Sequence, residues 1–189
     1  MKKKITAFTL VLFILTLALC FQPASAQYNS STNPASVGQP VRSMVELGSV
    51  YTNIYDITIT VTETIRGNKA MDILKKADRK TGKPPKGYEY ILARVKFGIK
   101  GRAISDVLSF NVGDNPLQWV ALASDLTEYP MISVTAPKPA LAGTVKSGES
   151  LEGWVAFIVD KKDSKPVMVF DPDSGGATGR GRTLFFKLH

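Results

Sequence analysis

Few residues in this chain have the types and spacing to do chemistry. Asp171 and Asp173 lie two apart in DPDSGG. That alternation resembles the start of a calcium loop, where every second side chain turns toward one ion. A complete loop continues with further acidic ligands and a terminal Glu. Here ATGRGR follows, so the expectation is a backbone turn. Calcium binding, or a carboxylate-based extracellular enzyme, stands as the alternative. The single histidine is His189, the last residue. A Ser-His-Asp relay or a histidine zinc site needs an imidazole held by the fold, which a chain end does not supply. GGATGRG lacks the Gly-Lys-Ser/Thr ending of a phosphate loop and sits between strand patterns. No nucleophile, cofactor motif or metal cage emerges, and the expectation is a protein that is not an enzyme and carries no cofactor.

Two other groups suit binding. Trp119 and Trp154 are the two tryptophans. In LEGWVAFIVD the alternation sets Trp154 opposite Phe157, so an inward Phe157 turns Trp154 outward. Trp154 is therefore the candidate exposed contact, together with Tyr90 and Tyr129, because aromatics anchor interfaces. Lys69, Lys75, Lys76, Arg79, Lys80, Lys83 and Lys86 crowd one insert. Lys75, Lys76, Arg79 and Lys80 are its candidate contacts for an anionic wall polymer or lipid headgroup. The plainer reading is a solvated helix face.

The elements that must position these residues are mostly strands. YDITITVTETI alternates Ile57, Ile59 and Val61 with threonines, the mark of a strand buried on one face. Met44 to Tyr51 reads as a shorter strand before it. Ala70, Ile73, Leu74 and Ala77 recur at three and four, which predicts a short helix over 69–77. YEYILARVKFGIKG sets Ile91, Ala93, Val95, Phe97 and Ile99 on one face. Tyr90, Leu92, Arg94 and Lys96 share the other. Further strands are expected at 107–112, 118–123, 131–135, 151–160, PVMVF and RTLFFKLH. Many short strands at regular spacing indicate an all-β antiparallel sandwich with one short helical insert.

The N-terminus reads as an address. Lys2, Lys3 and Lys4 precede an uncharged apolar run from Ile5 to Leu19, and Ala24-Ser25-Ala26 offers a cleavage site. This is the pattern of a secretory signal peptide over 1–26. The run falls short of the roughly 20 residues of a membrane helix. Lipid attachment at Cys20 is the alternative, although Leu19 stands where a small residue is expected. Cleavage after Ala26 leaves a chain without cysteine, so disulfides and thiol chemistry are excluded. It also removes three lysines and lowers the formal charge from +8 to +5. That mild excess forms no dense stripe, and nucleic acid is not an expected partner. Residues 27–40, QYNSSTNPASVGQP, read as a flexible polar leader to a domain over 41–189.

Three segments carry a family resemblance: the strand YDITITVTETI before a polar insert, KGYEYILARVKFGIKG, and SGESLEGWVAFIVDKKDSKPVMVF. Their order resembles the bacterial extracellular family described as telokin-like, over 41–188. The resemblance implies an immunoglobulin-like sandwich, similar to that of secreted mycobacterial antigens. It brings no catalytic residues. GIKGRA departs from it, where many relatives have an Asn-rich turn. The combined expectation is a secreted or cell-surface binding module that is not an enzyme. Its partner is a protein, an anionic envelope component or a second copy paired through a sheet edge. A structural accessory domain of the envelope is a further alternative.

Overall fold

The computed structural model describes residues 29–48, 53–102, 108–173 and 179–189. The expected signal segment and Cys20 lie outside the described residues. Among the described residues ten strands, one α-helix and a 3-10 turn at Pro116–Gln118 follow one another: β1 (Val41–Leu47), β2 (Asn53–Arg66), α1 (Asn68–Ala77), β3 (Tyr88–Gly101), β4 (Ser109–Val112), β5 (Trp119–Leu122), β6 (Gly143–Lys146), β7 (Ser150–Asp160), β8 (Val167–Phe170), β9 (Gly179–Gly181) and β10 (Leu184–Lys187). They form a five-stranded sheet ordered β7-β3-β2-β1-β9, a three-stranded sheet β10-β8-β5 and a two-stranded sheet β4-β6. The ladders between these strands are antiparallel. The fold is the expected all-β sandwich with one short helix.

The main core lies between the sheets. Ile57, Ile59 and Val61 of β2 oppose Ile99, Phe97 and Val95 of β3, all buried. Phe97 stacks on Phe110 at 5.2 Å, and Phe170 tilts against Trp119 at 4.7 Å between ring centres. Trp119 is the core tryptophan. Strand β8 is buried along its whole length.

A second cluster lies on the opposite face of the five-stranded sheet. Ala70 and Leu74 of α1 pack there with Tyr90 and Leu92, and Ile65, Ile132, Val134, Trp154 and Ala156 border them. A β-bulge creates part of it. The β2–β3 register pairs Val61 with Val95, then Glu63 with Arg94. The extra residue Thr62 reverses the parity of β2. Ile57, Ile59 and Val61 face the main core, while Ile65, with the same odd numbering, faces the helix.

Several expectations are corrected. Residues 29–40 are a docked segment. Asn29 holds Phe185 through two side-chain bonds, Ala35 bridges to Phe186, and Gly38 N–H donates to Val61 O. Ala35, at 4 % exposure, is part of the core. Polar composition concealed this, because these contacts are made largely by backbone and one asparagine. Met131–Thr135 is irregular chain; Ile132 and Val134 contact the second cluster without joining a ladder. Residues 49–52 lie outside the described residues, and the first strand starts at Val41. The expected helix is present at Asn68–Ala77.

Candidate functional site

The open side of the sandwich presents two edge strands, β7 of the larger sheet and β5 of the three-stranded sheet. An unpaired edge exposes backbone donors and acceptors and needs cover. The segment Tyr129–Ala142 supplies it as a strap. Tyr129 N–H donates to Ala121 O of β5 at 2.9 Å. At its other end, Leu141 N–H donates to Trp154 O at 2.9 Å, and Trp154 N–H donates to Pro139 O at 2.8 Å.

Two glycines make this approach possible. A Cβ on Gly153 would sit 2.4 Å from the carbonyl carbon of Ala140. A Cβ on Gly113 would sit 2.3 Å from Leu141 O, and Gly113 also has a φ of +78°. The Gly-Trp pair in LEGWVAF thus has a local cause: glycine admits the strap and tryptophan meets it.

Between strap and edges lies a cavity of about 270 Å³. Trp119 and Ala121 of β5, Trp154 and Ala156 of β7, and Met131, Ile132, Val134 and Ala136 of the strap line it. Gly113, Asn115 and Pro116 contribute one end. No Asp, Glu, Lys, Arg or His contributes to this lining among the described residues. Met131, 57 % exposed, marks the solvent side.

Two polar devices brace the cavity. Buried Gln118 accepts from Gly113 N–H at 2.8 Å and from Trp119 Nε1 at 3.0 Å, and its amide donates to Asn111 O at 3.2 Å. One side chain therefore ties the glycine turn to the indole and leaves little buried polarity unmet. Tyr129 Oη donates to Asp163 Oδ2 at 2.7 Å. The same carboxylate accepts from Ser124 N–H at 3.1 Å and Lys165 N–H at 2.9 Å. Burial opposes the Asp163 charge, but these bonds win and hold its pKa below the ordinary carboxylate value. Burial, then the bond to Asp163, pushes the Tyr129 phenol up to about 12. Tyr129 is fixed as a neutral donor at physiological pH and is poorly suited to act as a base.

The expected contact residues separate. Trp154 is half-buried and lines the cavity, with the Arg94 guanidinium 5.9 Å from its ring centre. Arg94 Nε lies 2.8 Å from Glu152 Oε1 without the alignment of a hydrogen bond. Tyr90 is not an exposed contact. It is buried beside α1, and its hydroxyl donates to Gly82 O at 3.2 Å. Tyr129 is likewise buried. Tyr90 is buried because the helix covers a face that strand alternation alone leaves open, and Tyr129 because it starts the strap, packs edge-on to Tyr88 beside the main core and bonds Asp163. Lys75, Lys76, Arg79 and Lys80 are exposed, at the end of α1 and just beyond it. Asp171 Oδ1 accepts from Asp173 N–H at 3.1 Å, a turn-forming bond, and Asp173 is exposed. Residues 174–178, which complete the suggested calcium loop, lie outside the described residues. No three His, Cys, Asp or Glu side chains converge as a metal site among the described residues.

Gln118 and Asp163 escape sequence reasoning. Gln118 is the first residue of the strand expected at 118–123, and Asp163 lies in KKDSK, which reads as a plain connection. Only their hydrogen-bond partners mark them: Asn111, Gly113 and Trp119 nearby for Gln118, and Ser124 and Tyr129 far along the chain for Asp163.

No protein-family model and no curated protein matches the chain. Among solved structures, the crystal structure of ycdA from Bacillus subtilis subsp. subtilis str. 168, described as a lipoprotein, is similar in part, with a TM-score of 0.43 and 17 % sequence identity. The alignment covers 69 % of this chain and 36 % of that one. Among the described residues no helix is long and apolar enough to cross a membrane.

Proposed function

We propose that the chain is an extracellular binding module, not an enzyme, which takes an apolar ligand in the cavity between β5, β7 and the strap. One observation carries the reading. The cavity brings two tryptophans, a methionine and several aliphatic side chains together and offers no ionisable group except a bonded tyrosine. Acid–base and nucleophilic chemistry need a titratable group aimed at the substrate, whereas apolar recognition needs concave hydrocarbon surface with a few orienting polar groups. The volume of about 270 Å³ lies just below the range of such sites, roughly 300–1,000 Å³, and suits a small ligand. The extracellular part of the reading rests on the tri-lysine, apolar and Ala-Ser-Ala segments at the N-terminus.

Tryptophan fluorescence tests it directly, since both indoles line the cavity. Titration with small apolar ligands is expected to change the emission saturably. Ala136→Phe, which fills the cavity from the irregular strap, is expected to abolish the change and leave the thermal midpoint nearly unmoved. A flat titration across aliphatic and aromatic ligands would remove the proposal.

A further inference from the structure

The uncovered end of the five-stranded sheet holds a second candidate site. Its outward side chains form cross-strand rows. Glu46 of β1 stands opposite Arg180 of β9, and Met44 opposite Asp56 of β2, which stands opposite Lys100 of β3. Arg42, Arg102, Arg180 and Arg182, all exposed, line one open hollow of about 560 Å³, with Met44 among them. An adjoining hollow shares Arg42 and Asp56 and reaches Lys100 and Glu149. Across both, five cations stand against Glu46, Asp56 and Glu149. Arg102 engages Asp56, and Glu149 accepts from Lys146 N–H at 2.9 Å. Arg42 and Arg180 enter no ion pair among the described residues. The five cations are scattered through the sequence, and only the side-by-side order of β9, β1, β2 and β3 gathers them.

Independently of the cavity ligand, we propose that this face binds an extended polymer bearing phosphate groups. Like charges gathered in one hollow repel and do not stabilise a fold, whereas an oxyanion offsets them. Guanidinium forks bond oxyanions in pairs. The tetrahedral oxygens of a phosphate point toward several arginines at once, where a planar carboxylate meets one fork. The cations run from β9 to β3, three strand spacings or roughly 15 Å, which exceeds one phosphate and suits a chain. Met44, half-exposed among them, suits the uncharged links of such a chain. No aromatic side chain lines either hollow among the described residues, so nucleic-acid bases have no stacking platform. A bilayer meets only the rim of a concave site.

Anisotropy of fluorescently labelled inorganic polyphosphate tests this on the full mature chain. Saturable binding is expected, weakening with added salt. Arg42→Gln/Arg180→Gln should lose affinity by about fivefold per removed arginine, with the thermal midpoint unmoved because both side chains are exposed. Lys75→Gln/Lys76→Gln removes the same charge from the helix-covered end. It should leave the affinity unchanged, since charges beyond the roughly 8 Å screening length at physiological salt count for little. Equal losses in the two variants overturn the site in favour of net charge alone. Orthophosphate that competes as well as the polymer at equal phosphate concentration overturns the polymer, and poly-L-glutamate that binds as tightly overturns the phosphate assignment. Co-sedimentation with phosphatidylglycerol vesicles without polyphosphate binding overturns the proposal in favour of a membrane surface. Binding of neither removes it. The apolar-ligand reading is untouched by any of these outcomes.

Discussion

The outer face of the five-stranded sheet divides into two regions built from the same strands. Over the α1 end, Leu92, Ile65, Trp154 and Ala156 meet the helix and the strap. Over the other end, Met44, Asp56 and Lys100 form one cross-strand row, and Thr60, Lys96 and Glu152 form another. Exposed Met44 and the mutual pair of Asp56 and Arg102 mark that region as solvated. A sheet face is thus not buried or open as a whole. What covers it decides, and here the cover is one helix of ten residues and one irregular strap. Among the described residues the cavity without charged lining lies at the covered end, where the strap supplies a third wall.

The largest effect expected from breaking this contrast comes from removing the cover. Leu74→Ala deletes the fully buried centre of the helix contact and is expected to cost about 3 kcal/mol, read by chemical denaturation. A matched change on the open region, Met44→Ala, is expected to stay within about 0.5 kcal/mol. Similar losses at both sites would erase the distinction.

Gly153→Ala comes next. Its Cβ would overlap the Ala140 backbone, so strap or strand must move, at a cost of about 2 kcal/mol. The informative readout is Trp154 emission, which should shift red as the strap lifts from β7.

Tyr129→Phe should cost about 1.5 kcal/mol at neutral pH, through one hydrogen bond to a carboxylate. The pH dependence carries the sign. Asp163 has a depressed folded pKa, so its stabilisation is present above its ordinary value of 3.8 and lost as pH falls through the folded value. Tyr129 is raised from 10.0 to about 12, so its contribution is complete below pH 10 and lost as pH rises toward 12. The stability difference between wild type and variant should therefore form a plateau between those limits. A pH-independent difference would mean that the hydroxyl acts only by filling space.

The smallest effect is expected on the open region. Arg102 holds the Asp56 carboxyl below its ordinary pKa through paired bonds of 2.5 to 3.0 Å, yet both side chains are half exposed. Solvent screening leaves such pairs little net weight. Arg102→Ala should leave the denaturation midpoint within error at moderate salt.

The alternation of β2, β3 and β7 was legible because side chains in a strand turn by half a rotation per residue, so Ile57 to Val61 and Ile91 to Ile99 announce their face. The helix at Leu74 was legible by its three-and-four spacing. Trp154 was correctly set on the face opposite Phe157. Its surroundings were not legible, since they come from residues 131–142, whose irregular backbone has no period. Tyr90 shows the same limit: its pattern says only which side it faces.

The sequence by itself determined strand periodicity, the helix, the turns and the basic composition of the insert, because these depend on neighbours in the chain. Only the tertiary structure decided the parity change at Thr62, the docking of residues 29–40, the bracing by Gln118 and Asp163, and the cavity. The parity change, the docking, the Asp163 bonds and the cavity join segments far apart in sequence, and the Gln118 bonds, although made to the nearby Asn111, Gly113 and Trp119, follow no strand or helix period, so none of them leaves a local pattern.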